Sequence, residues 1–204
     1  MEYYELHQDN PQERYINKAI EVLKNGGVII YPTDTVYGLG CDIYNHKAVK
    51  RIYEIKNESD TKLFSFIAPN LKDISKYAKV SDYAYKTIKR LTPGPYTFVL
   101  PASKDIPKKL WTKRKTVGIR IPDNRIAIQI AEGLGHPIVS TSTTRRLGQQ
   151  LSNPEEIRAI FDFSVDLMLS LGEQNSKPSS IIDLSGETPE ILREGAGDLS
   201  MFYW

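Results

Sequence analysis

Apolar positions recur in this chain with two spacings. Some stretches place them every third or fourth residue, others every second residue or in short continuous runs. That mixture predicts helices alternating with strands, an α/β domain. The clearest helix starts after Asn10, read as an N-cap, with Pro11 at the first helical position and Glu13 closing a capping box. Ile16, Ala19, Ile20 and Leu23 then follow at i, i+3, i+4 and i+7, and Gly26 supplies a left-handed stop. The run VIIY (28–31) reads as a buried strand ended by Pro32. A second helix is predicted over about 45–56, with Ala48, Val49, Ile52 and Ile55 inward. LFSFIA (63–68) reads as a strand, Leu71, Ile74 and Tyr77 as a short helix, and Ser81 as the cap of another through Leu91. TPGP (92–95) is a rigid turn. YTFVLP (96–101) and TVGIRIP (116–122) alternate like strands, 124–134 like a helix, and IVSTS (138–142) like a strand. Asn153-Pro154-x-Glu156 repeats the cap signature, and residues 165–170, 179–185 and 190–194 read as late strands. Roughly seven strands and five or six helices result, without an internal repeat or a long linker.

Length and composition narrow the class. The 204 residues suit a single domain over 1–204. Hydrophobic residues at 40% and charged residues at 25% are ordinary for a globular chain, which excludes a disordered or fibrous one. Lys+Arg 27 against Asp+Glu 25 leaves +2, so net charge alone does not demand a nucleic acid or a membrane surface. The one cysteine, Cys41, excludes an internal disulfide framework and a multi-cysteine zinc site, and reads as a buried structural thiol. His7, His46 and His136 are scattered, so no metal site is expected. No apolar run is long enough for a signal peptide or a membrane span, and the expectation is a soluble, cytoplasmic protein. P-loop, dinucleotide-binding, G-x-S-x-G and H-E-x-x-H patterns are all missing.

Four segments carry candidate chemistry. Tyr31-Pro-Thr-Asp-Thr-Val-Tyr-Gly-Leu-Gly40 sets hydroxyls, one carboxylate and two glycines just after a strand. It reads as a ligand loop at a strand's carboxyl end or as a tight turn with Asp34 on its own backbone. Ser140-Thr-Ser-Thr-Thr144 followed by Arg145 and Arg146 suits phosphate or carboxylate oxygens, or a solvated loop. Arg120 lies in a run that otherwise reads as a buried strand, and so requires a protein carboxylate or a ligand carboxylate as partner. Lys108, Lys109, Lys113, Arg114 and Lys115, grouped around Trp111, form either a phosphate-tracking patch or a solvated basic loop. Asp183, in a late apolar strand, reads as a strand-end cap or ion-pair partner.

Together these segments resemble the YrdC/YciO family. YPTDTVYGLGCD (31–42), PGPYTFVLPAS (93–103), TVGIRIPDN (116–124), the strand ending in STST, PSSIIDLSG (178–186) and ILREGAGD (191–198) occur in the family's order over nearly the whole chain. The two ends look closer to the YciO branch. The resemblance implies a twisted, mostly parallel or mixed sheet of about seven strands, with flanking helices and a large concave, positively lined cavity. It implies threonylcarbamoyl-adenylate synthesis from L-threonine, bicarbonate and ATP, with ATP as substrate, magnesium as its accompanying cation and pyrophosphate as product. The product serves threonylcarbamoyl modification of tRNA. Double-stranded RNA is a further partner the family implies, through Lys108, Lys109, Lys113, Arg114 and Lys115 here.

Residue by residue, the resemblance makes Lys56, Ser142 and Arg120 the reaction-bearing set. Thr35, Arg120, Ser140 and Ser179 match substrate contacts. Lys56, Lys62, Thr116, Ser142, Ser152 and Arg193 match nucleotide contacts. No general base stands out; Asp34 is a candidate by position alone. Two positions depart from the pattern. Glu58 replaces the arginine of lysine–x–arginine, and Thr144 replaces the asparagine of serine–alanine–asparagine. Exchanging a cation for an anion about 4 Å from a phosphate reverses an interaction of roughly 4 kcal/mol at an intermediate dielectric. Weakened ATP use is therefore expected, with Arg145, Arg146 or magnesium as compensation. Two other readings follow: a non-catalytic double-stranded RNA or nucleotide binder, and a ligase or transferase acting on another carbamate or amino acid.

Overall fold

A computed structural model describes residues 1–57, 64–104, 106, 115–144, 151–174 and 177–203. In chain order the described residues form β1 (Glu2–Glu5), α1 (Glu13–Lys24), β2 (Val28–Tyr31), β3 (Gly38–Asp42), α2 (His46–Lys56), β4 (Ser65–Ile67), α3 (Leu71–Tyr77) and α4 (Asp82–Leu91). They continue with β5 (Tyr96–Pro101), β6 (Thr116–Arg120), α5 (Arg125–Leu134), β7 (Ile138–Ser142), α6 (Pro154–Phe161), β8 (Leu167–Ser170), β9 (Ser180–Asp183) and β10 (Glu190–Arg193).

Local chemistry sets most helix starts. Side-chain oxygens of Asn45, Ser81 and Asn124 accept from the amides of Ala48, Ala84 and Ala127, and Asn153 accepts from Glu155. Helix α1 departs from its expected start. It begins at Glu13 with Gln12 as the cap residue and no side-chain cap bond. The amides of Tyr15 and Ile16 turn to the carbonyl of Gln12, so Asn10 lies too far upstream to cap them. The apolar stripe Ile16, Ala19, Ile20 and Leu23 is buried as its spacing requires.

One sheet of ten strands runs in the order β1-β8-β2-β3-β7-β4-β6-β5-β9-β10. It exceeds the expected seven, and of the two expected arrangements, mostly parallel or mixed, it is the mixed one. Four neighbouring pairs are parallel and five antiparallel. The short link between β2 and β3 cannot span a crossover, so it returns the chain antiparallel. The pattern of apolar residues missed β1, whose edge position leaves it partly exposed, and β3, whose glycines read as a turn. Yet β3 is an interior strand, paired with β2 on one side and β7 on the other.

Helices cover both faces. Residues of α2, α3, α4 and α6 pack one face in the larger apolar cluster, against side chains such as Ile30, Leu39, Phe66, Phe98, Val117 and Ile182. Helices α1 and α5 pack the other face against Ile29, Tyr31, Ile67, Ile138, Leu167 and Leu169. Side chains alternate along a strand, so Ser140 and Ser142 share the face of Ile138, and Gly118 and Arg120 lie opposite Val117 and Ile119. Where α1 and α5 end, this face carries glycine, serine and threonine in place of large apolar groups, and the sheet is left concave. Among the described residues no helix is long and apolar enough to cross a membrane.

Candidate functional site

The concavity is a cleft of about 300 Å³, floored by Gly38, Ser65, Thr97, Gly118 and Ser140 and bounded by Thr33, Ser142, Ser179, Arg120 and Arg193. It draws on strands β3 to β7, β9 and β10 and on the turn after β2. Small residues on adjacent strands make it possible, because each absent side chain is space for a ligand.

The turn after β2 is held by Thr33 rather than by Asp34. Thr33 Oγ1 accepts from the Thr35 amide at 3.1 Å and donates to the Val36 carbonyl at 2.7 Å. Asp34 is not bonded to its own turn. Its carboxylate accepts from Arg120 Nη2 and from the Asp123 amide, the latter at 3.0 Å. Arg120 is therefore partnered by a protein carboxylate. The same Nη2 reaches Thr35 Oγ1 at 2.8 Å and Thr33 Oγ1 at 3.3 Å. All of these bonds leave from one nitrogen, and the buried Nε has no partner among the described residues. With both Asp34 oxygens engaged, that carboxylate is a structural counter-ion, not a free base.

Arg193 reaches the cleft from the edge strand β10. Its Nε and Nη2 donate to the Ser179 carbonyl at 3.0 and 2.8 Å, and Nη2 lies 3.2 Å from Ser179 Oγ. Ser179 Oγ also lies 2.9 Å from Thr97 Oγ1. Burial of the guanidinium, and after it the charge of Arg120, lowers the Arg193 pKa from the usual arginine value. The described lining thus holds two guanidinium groups and no carboxylate, which favours an anion.

The structure gathers Arg120, Ser140, Ser142, Ser179 and Arg193 around one cavity. Thr35 lies behind them, fully buried, as a support for Arg120. Lys56 is turned from the cavity onto the end of β7, donating to the carbonyls of Ser142 at 3.0 Å and of Thr144. Thr144 Oγ1 in turn lies 2.5 Å from Ser142 Oγ. Thr116 begins β6, two residues before Gly118, and does not line the cleft. Ser152 also stands apart: its hydroxyl is 3.4 Å from Glu173 Oε1, a neighbour that repels phosphate. Lys62, Glu58, Arg145, Arg146 and the basic residues Lys108, Lys109, Lys113 and Arg114 lie outside the described residues; Lys115 is described and exposed. Asp183 caps its strand end by accepting from the Ser185 amide at 2.8 Å. Ser65, Thr97 and Gly118 were not singled out by the sequence pattern. Their signal is parity, since each occupies the face opposite an apolar neighbour.

Comparison with known proteins places this geometry. The family model Sua5_yciO_yrdC, described as telomere recombination, matches residues 21–195. The chain is 42% identical over 204 residues to YciO of Escherichia coli (strain K12), a protein described as uncharacterized, covering 98% of each. The crystal structure of E. coli YciO matches it with a TM-score of 0.94 over 100% of both chains. The threonylcarbamoyl-AMP synthase of Coxiella burnetii (strain RSA 493 / Nine Mile phase I) is 34% identical over 181 residues, 87% of this chain and 96% of the synthase. The crystal structure of P. abyssi Sua5 complexed with L-threonine is similar with a TM-score of 0.90 at 27% identity, over 96% of this chain and 58% of Sua5.

Proposed function

The chain belongs to the Sua5/YciO/YrdC family, and we propose that its cleft joins L-threonine, bicarbonate and ATP into threonylcarbamoyl-AMP. The observation that carries this reading is the convergence of Arg120 and Arg193 with the hydroxyls of Ser140, Ser142 and Ser179 on one cavity. Both the amino acid and the nucleotide bring anionic groups, and two guanidiniums among hydroxyl donors suit both. The threonine-bound Sua5 relative and the synthase relatives support the choice of substrate.

In this reading the threonine carboxylate lies against Arg120, with its hydroxyl near Ser179. Bicarbonate takes up one proton and loses water to give carbon dioxide, the neutral amine attacks its carbon, and the proton shed by the attacking nitrogen replaces the one taken up. A carbamate oxygen then attacks the α-phosphorus of ATP. The bond to the oxygen bridging the α- and β-phosphorus breaks, and pyrophosphate departs. Ser142 and Arg193 hold phosphate oxygens, while Lys56 holds the end of β7 that carries Ser142. Most of the acceleration comes from holding separate reactants together, because the described lining of the cleft holds no carboxylate or imidazole to act as a base. Magnesium arrives with the triphosphate; among the described residues no group of three or more His, Cys, Asp or Glu gathers for a resident ion. The adenylate then supplies threonylcarbamoyl transfer to tRNA.

Pyrophosphate release from ATP tests the reading. It is expected to require both L-threonine and bicarbonate, and to rise several-fold in Glu58→Arg/Thr144→Asn, which restores the cation and the amide of the family pattern. Release independent of threonine, or none in either protein, overturns it.

A further inference from the structure

Tyr31 ends β2 and Ser140 sits in β7, with β3 running between them. The Tyr31 hydroxyl nonetheless donates to Ser140 Oγ at 2.6 Å. Glycine makes the crossing possible. A Cβ on Gly38 would stand 2.9 Å from Tyr31 Cζ and 3.2 Å from Ser140 Oγ, and one on Gly40 would stand 2.9 Å from Tyr31 Cε1. The phenol ring therefore lies over bare β3 backbone, and any side chain at either position would occupy its path.

The direction of this bond matters more than its presence. A serine hydroxyl has one hydrogen and two lone pairs. Because Tyr31 donates, one lone pair of Ser140 is taken and its own hydrogen points elsewhere. Among the described residues no side chain accepts that hydrogen, and Ser140 lines the cleft beside Arg120 and Arg193. Tyr31 is fully buried, and burial pushes its phenol well up, so the donor keeps its proton at any working pH.

We infer that Tyr31 is a positioning residue that holds the Ser140 hydroxyl so that its own hydrogen is left for an oxyanion in the cleft. The ligand group is a carboxylate, carbamate or phosphate oxygen. A neutral acceptor gains less, because a bond to a charged oxygen is about twice as strong. The inference rests on the proposed function only for the identity of that anion.

A double-mutant cycle tests it by isothermal titration with L-threonine, inorganic pyrophosphate and AMP in turn. Wild type binds at least one of them. Ser140→Ala weakens that anion about tenfold. Tyr31→Phe keeps the ring but weakens the anion several-fold, since the released hydroxyl is no longer held with its hydrogen toward the cleft. Tyr31→Phe/Ser140→Ala is then no weaker than Ser140→Ala alone, a coupling that a packing role for Tyr31 does not produce. Wild-type affinity in Tyr31→Phe, losses that multiply in the double variant, or no binding of any of the three anions overturns the inference. Silence toward threonine with binding of pyrophosphate or AMP retires the synthase reading alone, and the cycle is read on the bound anion. Thermal melts establish that the variants fold. If Tyr31→Phe does not, 3-fluorotyrosine at position 31, a stronger donor of nearly the same shape, is expected to tighten binding, and unchanged affinity again overturns the inference.

Discussion

Arg120 and Arg193 present two guanidinium groups to one cleft, and among the described residues only Arg120 of the two is paired with a carboxylate. The Arg193 charge is held against burial and against its neighbour, which is why its pKa is lowered. Arg193 is exposed on the edge strand β10, so solvent screens the cost of holding that charge. Arg193→Gln is therefore expected to melt close to wild type while binding pyrophosphate about tenfold more weakly. Calorimetric melting and titration measure the two effects, and equal anion affinity in both proteins defeats the expectation.

Asp34 is the counter-ion that makes a buried Arg120 tolerable. Asp34→Asn keeps an acceptor for the Asp123 amide but leaves the guanidinium among neutral partners. Breaking a buried pair from one side costs about 3–5 kcal/mol. Urea unfolding is expected to show a loss of that order, and an unchanged midpoint contradicts the assignment.

Gly40 has no room for a methyl group. A Cβ there would approach the Val139 carbonyl and Ile138 Cγ2 to 2.8 Å. Overpacking against backbone typically costs about 1–3 kcal/mol, so Gly40→Ala lowers the melting temperature. Gly186→Ala is the control, because its Cβ would meet nothing nearer than the Thr188 carbonyl at 3.8 Å. Equal melting of the two variants argues against the crowding.

Cys41 is fully buried, and burial, followed by the charge of Asp42, raises its thiol pKa. The raised pKa keeps the neutral thiol at pH 8, which is a poor nucleophile. An aromatic disulfide reagent is expected to label it only after denaturation. Rapid labelling of the native protein shows instead that the thiol is reachable.

The basic run from Lys108 to Lys115 offers five cations to a phosphate backbone. If duplex RNA binds there, affinity falls steeply with salt, and replacing the five with glutamine flattens that slope. Absence of binding at low salt, or a slope unchanged by the replacements, ends the RNA reading.

Local signals were legible in the sequence wherever the deciding contacts were local. The caps at Ser81 and Asn153, the stripe of α1 and the buried run of β2 each depend on residues within about one or two helical turns. The resemblance to the Sua5/YciO/YrdC family and the richness of the site in hydroxyls were legible too. Strand β3 was not, because Gly-Leu-Gly has no side-chain alternation to display and is a strand only through β2 and β7 beside it. Nor was the direction of each strand, which depends on how short the connections prove to be in space. The partner of Arg120 was left open between protein and ligand, since Asp34 lies 86 positions away. The amino-acid sequence by itself determined which chemical groups were available and where most of the helices lie. Only the tertiary structure decided that Tyr31 reaches Ser140 across two glycines, because hydrogen-bond polarity depends on which atoms meet, and these meet only when three strands lie side by side.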